Sequence, residues 1–298
     1  MPSWSEILNK VQAVAADKQA SFLADLRYEY IEKLAQKTGR NVIAYYSSFL
    51  QKPTVPDISI NDRDMNAFME AVYKLDKSKG LDLILHTPGG DIATTEKIIH
   101  YLRSVFKGDI RAIIPQMAMS AGTMISVSCR EILMGKQSCL GPFDPQFNGV
   151  PCQSVLKEFE KAKRDVRENP HSLGLWQVIM SKYNPTFLLS CEQAVRLSEE
   201  LISEILKTSV SDPEKIEKIK KVFGDNDNSK THSRHISKDK CREAGLNIVD
   251  LENDQDLQDL VLSIHHCYMI AFDTTIATKI VENNKRGCFL RLYNPDIK

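Results

Sequence analysis

Apolar and polar residues alternate in blocks through the centre of the chain, and each block predicts one element. Short apolar runs at residues 81–85, 110–114 and 131–134 predict buried strands. The stretches between them, residues 92–105 and 120–128, predict helices. Strands that alternate with helices at this interval indicate βαβ units with parallel strands, whose carboxyl ends face one crevice. The sequence therefore predicts an α/β fold.

The segments on either side of this centre are mainly helical in pattern. Residues 4–38 lack glycine and proline and predict one or two helices, whereas residues 41–46 predict a strand. Further helices are predicted over residues 61–75, 153–167, 185–208, 213–223, 238–244 and 254–270. We therefore expect three parts: an N-terminal helical extension (residues 1–38), an α/β domain (39–250) and a C-terminal helical extension (251–298).

Composition and charge narrow the classes of function. The chain has 298 residues, of which 42% are hydrophobic, and this is enough for a substantial core. Lys and Arg together number 39, as do Asp and Glu, so the formal net charge is 0. A neutral chain has no overall electrostatic preference for polyanions, and we do not expect nucleic acid as a partner.

The cysteines and the apolar stretches indicate a cellular compartment. The seven cysteines are scattered without C-x-x-C spacing, which favours neither a zinc site nor a disulfide framework. No apolar run approaches the ~18 residues that span a bilayer, and the first residues lack the pattern of a signal peptide. We therefore expect a cytoplasmic protein with reduced thiols.

Two motifs carry candidate chemistry. Gly89 and Gly90 follow the strand at residues 81–85, and glycine lets a substrate approach main-chain N–H groups that can hold an oxyanion. Ser120 opens a predicted helix in the pattern Ala-x-Ser-x-Gly, which resembles the G-x-S-x-G elbow with its first glycine replaced. Ser120 is the candidate nucleophile. Each motif alone also fits a structural role, as a tight turn or as a helix cap.

Three segments in this order and spacing resemble one family: His86–Gly90, Ala118–Thr123 and Leu140–Gln146. They are similar to the serine dehydrogenase proteinase family, which belongs with the Clp-fold serine peptidases, alongside signal peptide peptidase A and the NfeD-type peptidases. The resemblance spans roughly residues 41–249. It implies a ClpP/crotonase-like superhelix of βαβ units with added N- and C-terminal helices.

The resemblance also implies roles for individual residues. Ser120 is the nucleophile, the N–H groups of Gly90 and Ala121 form the oxyanion hole, and Gly89 shapes the turn. In ClpP a histidine on the helix after the serine is the base, but this chain has no histidine between His100 and His171. That difference favours the Ser-Lys dyad of the signal-peptide-peptidase branch, with Lys157 as general base.

The choice of Lys157 depends on the resemblance and not on periodicity. In a helix over residues 153–167, Val155 and Phe159 lie on the apolar face and Lys157 lies away from it, as a solvated lysine would. A general base must also present an unprotonated amine. Lys161 and Lys163 are the alternative lysines. In a variant hydrolase, His171 or His235 would be the base instead.

Other polar residues carry weaker signals. His232 and His235 are close enough in sequence to share a metal, but no second cluster of ligands accompanies them, so we expect no metal and no cofactor. Asp144 fits a turn better than a catalytic acid. The sequence has neither a dinucleotide fingerprint nor a G-x-x-x-x-G-K-[ST] segment, so energy-driven unfolding of a substrate would need a separate ATPase.

Three functions remain open from the sequence. The leading hypothesis is a serine peptidase that acts on a peptide or protein substrate. A crotonase-like acyl-CoA enzyme is the second, because that fold also uses paired backbone N–H groups as an oxyanion hole. A non-catalytic scaffold with an idle dyad is the third. The resemblance further implies a homo-oligomer, with a separate ATPase or a membrane partner as a further associate.

Overall fold

The computed structural model describes residues 4–147, 149–224 and 231–293, and the chain divides into two compact units. The first unit comprises Met1–Gly141 and His235–Lys298, and the second comprises Pro142–Arg234. The described helices are α1 (Trp4–Gln12), α2 (Gln19–Thr38), α3 (Asp64–Val72), α4 (Ile92–Phe106), α5 (Ala121–Val127), α6 (Cys152–Glu168), α7 (Leu173–Met180), α8 (Phe187–Ser209), α9 (Pro213–Gly224), α10 (Lys238–Ala244) and α11 (Gln255–Thr274). The predicted three-part division at residues 38 and 250 stays a prediction.

The first unit is built on a seven-stranded sheet in the order β10-β5-β3-β2-β1-β11-β12. The described strands are β1 (Asn41–Ser47), β2 (Leu81–His86), β3 (Ile110–Ile114), β4 (Met117–Ala118), β5 (Glu131–Met134), β6 (Cys139–Leu140), β7 (Gln146–Phe147), β8 (Val150–Pro151), β9 (Ile236–Ser237), β10 (Ile248–Asp250), β11 (Ala277–Asn283) and β12 (Cys288–Leu292). Strands β10 to β1 in the sheet order run parallel, while β11 and β12 are antiparallel additions at one edge. The predicted α/β class, with a mostly parallel central sheet, is confirmed.

Local sequence signals end the elements close to the predicted positions. Gly39, at φ 68°, ends α2, and Gly245, at φ 113°, ends α10. Asp91 caps α4, because its carboxylate accepts a hydrogen bond from the Thr94 N–H. Every residue of β2 is buried, as expected for a central strand of a sheet that is covered on both faces. Buried side chains of α2 and α11 join those of β1 in one hydrophobic core.

Several elements differ from the sequence predictions. The helix predicted from residue 61 begins at Asp64. The C-terminal extension is helical only to Thr274, and the expectation of helix beyond that residue is wrong. There the chain forms β11 and β12, and β11 pairs with β1. Helix α7 and the small sheet β4-β6-β9 were not predicted.

The second unit is mainly helical, as the pattern after residue 150 predicts. Helices α6 to α9 lie here, together with the short hairpin β7–β8. Cys152, Val155 and Cys191 form the centre of a small core between α6 and α8. Across the described ranges, no helix of either unit combines the length and the hydrophobicity that a membrane span requires.

Candidate active site

Ser120 lies at a sharp turn from β4 into α5. Its backbone adopts φ 50° and ψ −116°, which is a strained conformation for a residue with a side chain. A strained serine between a strand and a helix is the local geometry of a nucleophile elbow. Ser120 occupies the N-cap position of α5, yet its side chain makes no capping hydrogen bond. The helix-cap interpretation of this serine therefore lacks the contact on which it depends.

The Gly89–Gly90 turn approaches Ser120 as closely as glycine allows. A Cβ added to Gly89 would lie 2.5 Å from Ser120 Cβ and 2.8 Å from the Met119 carbonyl oxygen. Gly89 also has φ 100°, which side chains rarely adopt. The same imagined Cβ would lie 3.0 Å from the Ala121 nitrogen, so the turn and the first residue of α5 are neighbours. The structure thus places Gly89, Ser120 and Ala121 next to one another.

Backbone pairing holds this turn beside the serine. The Met119 N–H donates to the Thr87 carbonyl over 3.0 Å, and the Thr87 N–H donates to the Met117 carbonyl over 3.4 Å. A glycine at position 122 permits the approach, since a Cβ there would lie 2.5 Å from Thr87 Cγ2. The end of β2 is therefore fixed against the segment that leads into Ser120.

Two main-chain N–H groups at the turn are available to a ligand. Within the described ranges, neither the Gly90 N–H nor the Ala121 N–H donates a hydrogen bond to the protein. The neighbouring groups are occupied: the Gly89 N–H donates to Thr87 Oγ1 over 3.2 Å, and the Gly122 N–H donates to the Met119 carbonyl over 2.7 Å. Free N–H groups beside a nucleophile are what an oxyanion hole requires. The assignment of this role to Gly90 and Ala121 stays a prediction.

The segment around Ile60, which the sequence did not indicate, packs against the Gly89–Gly90 turn. The Ile60 N–H donates to the Gly89 carbonyl over 2.8 Å, and the Asp91 N–H donates to the Ile60 carbonyl over 3.0 Å. A Cβ on Gly90 would lie 2.3 Å from the Ile60 carbonyl oxygen, so Gly90 must lack a side chain. The polar residues around Ile60 have the pattern of an ordinary loop. No local sequence pattern indicates the contact between Ile60 and the Gly89–Gly90 turn.

His86 immediately precedes the turn, at the end of β2. It is fully buried, and burial lowers the pKa of its imidazole to about 3, against a smaller opposing effect of the Met117 backbone. Its ring packs 5.2 Å from that of His265, whose pKa burial also lowers well below the usual value. His86 is therefore neutral at pH 7. His265 lies among the buried residues of α11.

Lys157 lies on α6, in the second unit. Its side chain is exposed, and the buried residues of this helix are Cys152, Val155 and Ala162. The alternatives Lys161 and Lys163 are also exposed, and Lys163 pairs with Glu160 over 2.6 Å. Lys157 thus faces away from the apolar side of the helix, as the periodicity predicts, and its role as the base stays a prediction.

The second unit holds a histidine and carboxylate pair that the sequence did not reveal. His232 Nδ1 lies 2.8 Å from Asp144 Oδ1, and Asp144 is only 1% exposed. A buried carboxylate that orients an imidazole is a recurring arrangement in hydrolases. The residues lie far apart in sequence, so only folding brings them together. His171 and His235, the histidines proposed from the sequence, are both exposed.

A metal centre is not evident in the part of the chain that the structure describes. There, no group of three or more His, Cys, Asp or Glu side chains has a geometry that could hold a metal ion. His232 is engaged with Asp144 instead of sharing a ligand set with His235.

The sequence of this chain is similar to that of known proteins. The family described as ClpP-like SDH-type serine proteinases matches residues 10–269. A protein of Methanocaldococcus jannaschii that is described as uncharacterized is 29% identical over 227 residues, which cover 74% of this chain and 71% of that protein. A second uncharacterized protein of the same organism is 27% identical over 189 residues, covering 63% of this chain and 60% of the relative. The match over most of its length shows that this chain belongs to the family of ClpP-like SDH-type serine proteinases.

Proposed function

We propose that this protein is a serine peptidase that hydrolyses peptide bonds with Ser120 as its nucleophile. Membership of a serine proteinase family supports the class of reaction. The observation that carries the assignment to Ser120 is its backbone, at φ 50° with no capping hydrogen bond, directly against the Gly89 turn. A serine that only capped α5 would need neither the strain nor the close approach of glycine.

The proposed reaction has two stages. Ser120 Oγ attacks the substrate carbonyl carbon while the general base takes the hydroxyl proton. The Gly90 and Ala121 N–H groups donate to the oxyanion of the tetrahedral intermediate. The base then passes its proton to the leaving amine, and the peptide C–N bond breaks. Water hydrolyses the acyl-enzyme by the reverse sequence and releases Ser120.

For the general base we propose Lys157, which the resemblance to the signal-peptide-peptidase branch supports. A neutral amine at this position would accept the Ser120 proton and return it to the leaving group. The alternatives to Lys157 are Lys161 and Lys163 on the same helix, or His171 or His235 in a variant hydrolase.

We also propose an oligomeric state and a cellular compartment for the protein. We propose a cytoplasmic homo-oligomer that acts with or without a separate ATPase or membrane partner. All seven cysteines are free thiols, and six of them are buried, which is consistent with a reducing compartment. Exposed apolar side chains on α7, among them Leu175 and Val178, favour association of the second unit with another surface.

Hydrolysis of fluorescein-labelled casein by single variants tests the nucleophile and the base. We expect Ser120→Ala to abolish hydrolysis and Lys157→Ala to lower it by about 100-fold or more, because general-base catalysis contributes about 10²–10⁴-fold. Hydrolysis that persists in Ser120→Ala would contradict the nucleophile. Full activity in Lys157→Ala would show that Lys157 is not the base.

The two rival functions predict different results for the unchanged protein and for Ser120→Ala. An acyl-CoA enzyme would bind coenzyme A and would keep its activity in Ser120→Ala. A non-catalytic scaffold would show no Ser120-dependent hydrolysis of casein or of a simple ester. Arg164→Ala, on the same helix as Lys157, is the matched control for the loss of an exposed positive charge.

A further inference from the structure

Residues 57–64, which we call the support segment, connect the Gly89–Gly90 turn to the sheet of the first unit. At its centre, Ile60 donates to the Gly89 carbonyl over 2.8 Å and accepts from the Asp91 N–H over 3.0 Å. These bonds occupy the main-chain groups on both sides of Gly90. The direction of the Gly90 N–H therefore depends on the position of Ile60.

A buried ion pair fixes the support segment on both sides of Ile60. Lys279 Nζ, on β11, donates to the Ser59 carbonyl over 3.0 Å and lies 2.8 Å from each carboxylate oxygen of Asp64. Asp64 Oδ2 accepts from the Asn61 N–H over 2.9 Å. Ser59 and Asn61 are the residues directly before and after Ile60. The ion pair thus holds the backbone of the segment at the two positions that determine where Ile60 lies.

The burial of this pair is not explained by stability alone. Lys279 and Asp64 are each 1% exposed, and the Tyr45 hydroxyl also donates to Asp64 Oδ2, over 3.0 Å. Removing two charges from water is costly, and hydrophobic residues of similar volume often give equal or greater stability in such positions. An apolar pair, however, would not form the hydrogen bonds that Lys279 and Asp64 make to the backbone of Ser59 and Asn61.

We propose that Lys279 and Asp64 are positioning residues for the oxyanion hole, acting through the support segment on the Gly90 N–H. This inference rests on the proposed function, in which that N–H donates to the oxyanion. Among the described residues, neither side chain forms a hydrogen bond or an ion pair with the turn. Their effect is to hold Ile60, and through it Gly89 and Asp91, in the one arrangement that leaves the Gly90 N–H directed at the reacting carbonyl.

Lys279→Met provides the first test, with hydrolysis of a p-nitrophenyl ester as the assay. We expect kcat to fall by about tenfold or more while KM changes by less than about twofold, because the oxyanion contact forms chiefly in the transition state. The rate constant for labelling of Ser120 by a fluorophosphonate should fall by the same factor. All rates are expressed per mole of folded protein, measured by circular dichroism.

The double variant Lys279→Met with Asp64→Leu separates positioning from stability. It leaves no unpaired buried charge, so its melting temperature should recover toward that of the unchanged protein. Its kcat should nevertheless stay low, because the bonds to Ser59 and Asn61 are still missing. If Lys279→Met fails to fold, this double variant alone decides the question.

Arg27→Met is the matched control. Arg27 forms another buried ion pair in the same unit, with Glu282 on β11, over 2.9 Å. Its loss leaves a buried carboxylate, as Lys279→Met does, but Glu282 makes no bond to the support segment. We expect Arg27→Met to lower the melting temperature and to keep kcat per folded molecule.

The outcomes are distinct for this inference and for the function on which it rests. Normal kcat in the double variant, or an equal loss of kcat in Arg27→Met, would overturn the positioning role and leave the peptidase assignment intact. Absence of any Ser120-dependent hydrolysis or labelling in the unchanged protein would overturn both.

Discussion

At the scale of single residues, the site depends on positions where only one residue type fits. Gly89 lies where any Cβ would collide with Ser120, and Ser120 itself adopts a strained backbone. The sequence indicated both residues through the Gly-Gly turn and the Ala-x-Ser-x-Gly pattern. It did not indicate Ile60 or Lys279, because their contacts join residues far apart in the chain and leave no periodic signal.

Gly89→Ala should inactivate the protein more than it destabilises it. The added methyl group must displace Ser120 or Met119, and a misplacement of about 1 Å at a catalytic group can cost about 100-fold in rate. Gly39→Ala is the control, since Gly39 also has positive φ but has nothing within 4 Å of the added Cβ. The positive φ alone should cost each variant about 1–2 kcal/mol of stability in urea, and the collision should add to that cost in Gly89→Ala. Equal ester hydrolysis in the two variants would contradict the close approach.

His86 should make the folded state sensitive to mild acid. Its pKa is 6.5 when unfolded and about 3 when folded, so the unfolded state binds the extra proton. Its contribution to stability is therefore complete above pH 6.5 and is lost as the pH falls from 6.5 toward 3. At pH 5 the loss is about 2 kcal/mol.

Urea unfolding at pH 7 and pH 5 measures this effect. The loss of stability between the two pH values should be smaller in His86→Leu than in the unchanged protein by about 2 kcal/mol. His100→Leu is the control, because His100 is an exposed histidine on α4. A pH dependence that is the same in His86→Leu as in the unchanged protein would show that His86 does not titrate as its burial implies.

At the scale of elements, long periodic segments were predictable and short ones were not. The strands β1, β2 and β3 and the helices α4 and α10 lie at or within one or two residues of their predicted bounds. The two-residue strands β4, β6 and β9 carry no periodic signal, although β4 leads into Ser120. The predicted helical C-terminus gave no indication that β11 would reach β1 and bring Lys279 to the support segment. Pairing between distant strands is a property of the whole fold.

At the scale of the whole molecule, the proposed association draws on the apolar side chains that α7 exposes. On α7, Leu175 is 63% exposed and Val178 is 62% exposed, beside the buried Trp176. Large exposed apolar side chains on one short helix are typical of an interaction surface. Their position in the second unit is consistent with the proposed homo-oligomer.

Substitution of this surface should change the molecular mass in solution. The double variant Leu175→Glu with Val178→Glu should shift the protein toward a monomer in sedimentation velocity, because unpaired charge disfavours an apolar interface. Gln177→Glu, an exposed position on the same helix, adds charge without removing apolar surface and should leave the mass unchanged. A double variant with the mass of the unchanged protein would show that α7 is not the contact.

The central claim, that Ser120 is an activated nucleophile, is tested most directly by covalent labelling with a fluorophosphonate. The phosphonyl group should attach to one residue, displacing fluoride, and peptide mass spectrometry should locate it on Ser120. Ser120→Ala should remain unlabelled while keeping the circular dichroism spectrum of the unchanged protein. Labelling that persists in Ser120→Ala, or no labelling of the folded unchanged protein, would contradict the account.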